Sequence, residues 1–113
     1  MKVRDYLAIP YILEAQAVEI NGTWTRRLRY PELGDFEARH DDVEQALLEV
    51  ERLRIKEILR RLRAGDTPPI PRPPLETTDQ GWWARFLGIG DLVEGVIDSP
   101  ASDLAGTEKI GRH

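Results

Sequence analysis

Residues 41–65 constrain this chain more than any other stretch, because they read as one long helix carrying two apolar stripes. Asp41 and Asp42 stand where a helix cap belongs: their side-chain oxygens can accept from the free N–H groups of the first turn. Glu44 and Gln45 each follow three residues later, as in a capping box. Gly65 marks the end, since glycine takes the left-handed cap conformation cheaply. Acids lie early (Asp41, Asp42, Glu44, Glu49, Glu51) and bases late (Arg52, Arg54, Lys56, Arg60, Arg61, Arg63), an order that complements the helix dipole; the six bases read as dipole partners and a solvated face. Val43, Ala46, Leu47, Val50 and Leu53 form one stripe, and Leu48, Ile55, Ile58, Leu59 and Leu62 form the other. At ~100° per residue the two stripes span roughly 240° of the circumference, more than one sheet buries. One stripe is expected to pack on strands. The second requires another cover, supplied by the chain's own C-terminal segment, a second copy or a different protein.

The segments before this helix read as strands. Residues 6–13 are apolar apart from Pro10 and predict a buried strand with an edge position or bulge at the proline, continuing in one reading through Val18 or Ile20. Asn21-Gly22 predicts a tight hairpin turn, because both residues tolerate positive φ. Residues 23–30 alternate, with Trp24, Leu28 and Tyr30 on the inner side and Arg26 as the misfit. Residues 36–40 predict a short third strand. Residues 66–74 hold Pro68, Pro69, Pro71, Pro73 and Pro74, which suit a sheet edge around Ile70 or a stiff spacer.

The tail has a different character. Acids and bases balance over residues 1–75. Residues 76–113 carry seven acids (Glu76, Asp79, Asp91, Glu94, Asp98, Asp103, Glu108) against three bases (Arg85, Lys109, Arg112), so the net charge of −4 sits entirely in the tail. This disfavours non-specific nucleic-acid binding and suits a basic partner. Trp82, Trp83, Phe86, Leu87, Val93 and Ile97 fall at helical spacing and predict a weak amphipathic helix around residues 81–98, interrupted by Gly88, Gly90 and Gly95. These six residues are the expected partner-binding set, since large aromatics dominate docking energetics. Leu48, Ile55, Ile58, Leu59 and Leu62 are the expected surface for self-association or tail docking. Residues 101–113 are expected to be poorly ordered.

Chemistry is sparse. The chain has no cysteine, which excludes disulfides and thiolate sites. Its two histidines, His40 and His113, lack metal-ligand spacing, and no glycine spacing matches a phosphate loop. No cofactor, no metal and no catalytic residues are expected. There is no leader-like apolar run and none near the ~20 residues of a membrane span, so a cytoplasmic protein with no membrane association is expected.

Residues 6–74 resemble the HicB-like antitoxin family. The resemblance rests on Leu7-Ala8-Ile9-Pro10-Tyr11, Pro31-Glu32-Leu33, the acid-rich helix start ending in Ala46-Leu47, and Gly65-Asp66 followed by Pro69-Ile70-Pro71-Arg72-Pro73. Gly34-Asp35-Phe36 stands where the family commonly has Pro-Gly-Cys, and His40-Asp41-Asp42 where it has Gly-Asp-Thr. The resemblance implies a partial ribonuclease-H-like fold, β-β-β-α-β, without nuclease activity, which self-associates and masks a small basic ribonuclease toxin. The residues after Leu75 do not fit the family's DNA-binding extension, so operator binding is not expected.

The combined expectation is an α+β domain over residues 1–75, with a mainly antiparallel three- to four-stranded sheet packed by one long helix, and an acidic docking tail over residues 76–113. The expected function is that of an antitoxin-like homo-oligomer, not an enzyme. A structural adaptor or accessory subunit, docking its tail into a larger assembly, is the alternative.

Overall fold

The computed structural model describes residues 1–107. It is an α+β fold in which a three-stranded antiparallel sheet is packed by one long helix. The elements are α1 (Val3–Leu7), β1 (Glu14–Ile20), β2 (Thr23–Arg29), β3 (Glu37–His40), α2 (Val43–Arg63), α3 (Gln80–Phe86) and two short 3-10 turns, Gly90–Leu92 and Ala101–Leu104. Sheet order is β1-β2-β3.

The hairpin forms at Asn21-Gly22, both at positive φ (53° and 81°), with Ile20 opposite Thr23. β3 pairs only with Arg26 to Arg29 of β2, Leu28 opposite Ala38. Helix α2 crosses β2 and β3 there. Leu28 and Tyr30 are therefore buried as expected, whereas Trp24 is 58% exposed. It lies beyond the end of β3, where the β1–β2 hairpin extends past that strand. Helix α2 is capped by Asp42, whose Oδ1 accepts from the Glu44 N–H at 2.9 Å. It stops at Gly65 (φ 81°), where the Gly65 N–H donates to the Leu62 carbonyl (3.2 Å) and the Asp66 N–H to that of Arg61 (2.8 Å).

The first expected strand lies only in its continuation, as β1 (Glu14–Ile20), and its 6–13 part is corrected. Residues 3–7 form α1, with Val3 and Leu7 one turn apart and buried, and with Asp5 Oδ2 accepting from the Lys2 N–H at 2.8 Å. Ala8 ends α1 in a turn, and residues 9–13 form neither helix nor strand. Their neighbour is the proline segment, whose missing N–H groups cannot build a ladder. Single bonds tie the two together: the Leu75 N–H donates to the Ala8 carbonyl (2.9 Å), Tyr11 O–H to the Pro69 carbonyl (2.7 Å), and Arg72 Nη1 to the Pro10 carbonyl (3.0 Å). The same shortage of donors explains why no strand follows α2 among the described residues. Pro68 is fully buried, while Ile70 is exposed.

Glu32 clamps this seam. It accepts from Arg72 (2.8 and 2.9 Å) and from the Ile12 N–H (2.8 Å). The Arg72 guanidinium, then the Ile12 amide, hold its carboxyl at about 2. A carboxyl depressed in the folded state stabilises it above the unfolded value near 4.5, and that contribution fades as pH falls toward about 2. Glu32→Gln is therefore expected to lower Tm at pH 7, with the gap to the wild type closing between pH 4.5 and pH 2 in a calorimetric series.

The tail also departs from expectation. Its helix ends at Phe86, because Gly88 (φ 81°) turns the chain and the Ile89 N–H closes back onto the Ala84 carbonyl at 2.9 Å. Residues 101–107, expected to be poorly ordered, include the Ala101–Leu104 turn with Leu104 buried. Residues 108–113, His113 included, lie outside the described residues. The tail runs back to the start of the chain. Free N–H groups of the first turn of α1 are satisfied by it, Val3 donating to the Ser99 carbonyl (3.0 Å) and Arg4 to that of Ile97 (2.9 Å). Ala84, Leu87, Ile89, Val93, Ala101 and Leu104 join one core with Ile55, Ile58, Leu59 and Leu62, so the second stripe of α2 is covered by the chain itself.

Candidate protein-docking surface

Helix α3 begins at Asp79, whose Oδ1 accepts from the Trp82 N–H at 3.0 Å. Its inner face carries Gln80, Ala84 and the following Leu87, all buried. Three polar ties hold it on α2. Trp83 Nε1 donates to Glu51 Oε1 (2.6 Å), Arg52 Nε to the Leu87 carbonyl (2.7 Å), and Arg54 Nη2 to Gln80 Oε1 (3.1 Å).

Glu51 is the hub. Its carboxylate also accepts from Tyr30 O–H and from Arg54 Nε (2.9 Å), while Arg54 Nη1 reaches the Leu7 carbonyl (2.7 Å). Burial pushes the Glu51 carboxyl up, but the Arg54 charge and the bonds from Arg54, Tyr30 and Trp83 outweigh it and hold the group below its usual value. Burial, with the neighbouring carboxylate, raises the Tyr30 hydroxyl. The network joins sheet, α1, α2 and α3 around one buried charge pair, so the outer face of α3 is presented on a fixed base.

That outer face is aromatic. Trp82 and Phe86, one turn apart, stack at 5.4 Å with planes 17° apart, and Trp83 stacks on Phe86 at 5.4 Å and 8°. Trp82 is 53% and Phe86 59% exposed. Beside them lies a groove of about 410 Å³ lined by Gly81, Arg85, Gly90, Asp91, Glu94 and Ile97 among others. Gly90 is required there, since a Cβ would fall 2.6 Å from Arg85 Cγ. The arrangement offers two exposed stacked rings next to a groove that carries both Arg85 and the carboxylates Asp91 and Glu94.

The expected partner-binding set therefore divides. Trp82 and Phe86 face outward. Trp83 is half-buried and spends its indole N–H on Glu51. Ile97 is partly buried, and Leu87 and Val93 fill the chain's own core instead of a partner's surface. Of the second set, Ile55, Ile58, Leu59 and Leu62 are buried and Leu48 is partly buried against the core, so in this structure they are covered by the tail and not offered to a second copy. The sequence does not show that Glu51, Arg54, Tyr30 and Gln80 meet. Its signal is a glutamate and an arginine three residues apart within an otherwise apolar belt, the arginine reading as one of the solvated late bases. Among the described residues no group of three or more His, Asp or Glu side chains is placed to hold a metal ion, and no helix is long and apolar enough to cross a membrane.

No family model, no curated protein and no solved structure matches the chain.

Proposed function

We propose that this is a non-catalytic, antitoxin-like binding protein that forms a homo-oligomer and masks a small, basic RNA-cleaving partner. One observation carries the docking part of this reading: two stacked rings, each more than half exposed, stand on a helix whose inner face is anchored to a buried charge network. Exposed aromatic pairs on a rigid base are the usual energetic centre of a protein interface. The acidic excess of the tail favours a basic partner. The resemblance over residues 6–74 supplies the class of that partner.

The test is functional. A tagged full-length chain is used to capture its partner from native cells, and the partner is assayed for RNA cleavage with and without the chain. The expected result is a small basic protein that cleaves RNA alone and is silent in the complex. Capture of a large enzyme or shell protein would replace this reading with that of an adaptor.

A further inference from the structure

Among the described residues, strand β1 is a free edge of the sheet. The two-residue turn decides which of its backbone groups are unpaired. Ile20 and Thr23 close the hairpin, so Ile20, Val18, Gln16 and Glu14 direct N–H and C=O toward β2, while Ala15, Ala17 and Glu19 direct theirs away from the sheet. Natural edges are usually blunted by charged side chains, above all lysine, by proline, by a bulge or by a covering element. β1 reads Glu-Ala-Gln-Ala-Val-Glu-Ile: its charges are Glu14 and Glu19 near the two ends, its centre is uncharged, it contains neither lysine nor proline, and it keeps an unbroken register with β2. Ala15, Ala17 and Glu19 are all exposed.

We propose that β1 pairs antiparallel with β1 of a second copy, about a two-fold axis through Ala17, merging the two sheets into one. This deepens the homo-oligomer part of the reading above. It also moves self-association from the second stripe of α2, which the tail covers, to the sheet edge.

The sequence of β1 selects the register. A two-fold axis normal to the sheet keeps inner faces together, so opposing residues share parity. With Ala17 on the axis all of β1 is paired: Ala15 faces Glu19, Gln16 faces Val18, and Glu14 faces Ile20. No like charges meet. A slip of one residue would set Glu14 against Glu19 and turn the inner face of one copy to the outer face of the other. The outward N–H and C=O groups of Ala15, Ala17 and Glu19 then satisfy their copies with roughly six ladder bonds.

Charge supports the same geometry. Arg26 lies opposite Ala17 on β2, exposed and without an ion pair among the described residues. In the paired sheet its Cα falls about 12 Å from that of Glu19 in the second copy, across a floor of alanines, within reach of the two long side chains.

The test is sedimentation of the full-length chain from micromolar to millimolar concentration, with circular dichroism to confirm folding. The wild type is expected to dimerise. Ala17→Lys sets two ammonium groups on the axis and is expected to weaken the dimer at least ~10-fold. Glu19→Arg is expected to weaken it too, and Glu19→Arg with Arg26→Glu to restore it. A wild type monomeric throughout would overturn both the homo-oligomer and this interface. A dimer indifferent to Ala17→Lys would leave the oligomer standing and overturn the edge pairing. If Ala17→Lys does not fold, the charge swap decides, and failure to recover overturns the proposal.

Discussion

A chain ending at Leu75 is expected to lose its cooperative unfolding transition. The truncation removes Leu87, Ile89, Val93 and Leu104, each buried in the same core as α2. Fully burying an aliphatic side chain of this size is worth about 1.5–3 kcal/mol, so the four represent roughly 6–12 kcal/mol. Whole domains are stable by only about 5–15 kcal/mol. The cut also removes part of the core that Ile55, Ile58 and Leu59 share, and strips the carbonyls of Ile97 and Ser99 from the N–H groups of α1. Urea titration followed by far-ultraviolet circular dichroism is expected to show a broad, non-cooperative loss of signal, or an aggregated chain. A sharp transition in residues 1–75 would instead mark the sheet and α2 as self-sufficient, with the tail an appendage.

Arg54→Ala is expected to destabilise the full chain by about 3–5 kcal/mol, because it leaves the Glu51 carboxylate buried without its counter-charge. The same change orphans the Leu7 carbonyl and Gln80 Oε1. An Arg54→Met, Glu51→Leu double substitution is expected to recover part of that loss, since an apolar pair avoids the desolvation of a lone charge. Equilibrium urea unfolding of the three proteins measures both steps. A loss below about 1 kcal/mol for Arg54→Ala, the range of exposed pairs, would show that the Glu51–Arg54 pair is effectively hydrated and is not the anchor of α3.

These two predictions concern features that the sequence shows unequally. The long helix, its Asp42 cap, its Gly65 stop, the Asn21-Gly22 hairpin and the short third strand follow from local chemistry, and each is where that chemistry puts it. The failures arise where distant segments decide the outcome. Residues 6–13 carry a strand-like apolar run, but whether they join a ladder depends on what lies beside them, and a proline-rich neighbour offers few donors. Trp24 alternates correctly with Leu28, yet its burial depends on how far β3 extends. The tail helix was legible at Trp82, Trp83 and Phe86. Its end at Gly88 required the positive φ there to outweigh the apolar spacing that continues through Val93 and Ile97. The Glu51–Arg54 pair was hidden for a different reason: at three residues' spacing it looks like any surface ion pair, and only the packing of Tyr30, Trp83 and Gln80 around it makes it interior.

The proposed docking surface follows the same logic. A tail that had only to bind a partner would expose all its large apolar residues. This one buries Leu87 and Val93 in the common core, half-buries Trp83 to reach Glu51, and leaves Trp82 and Phe86 outside. The proposed docking residues are thus different from the residues that hold the fold, which allows the two roles to be separated by substitution.

Isothermal titration of the captured partner into three full-length proteins tests that separation most directly: the wild type, a Trp82→Ala, Phe86→Ala double variant, and Trp24→Ala, which removes an equally exposed tryptophan from the hairpin. Binding is expected to be at least ~30-fold weaker for the double variant, as for hot-spot residues worth about 2 kcal/mol or more, with an unchanged Kd for Trp24→Ala and native circular dichroism for all three. An unchanged Kd for the Trp82, Phe86 double variant, or a loss confined to Trp24→Ala, would contradict it.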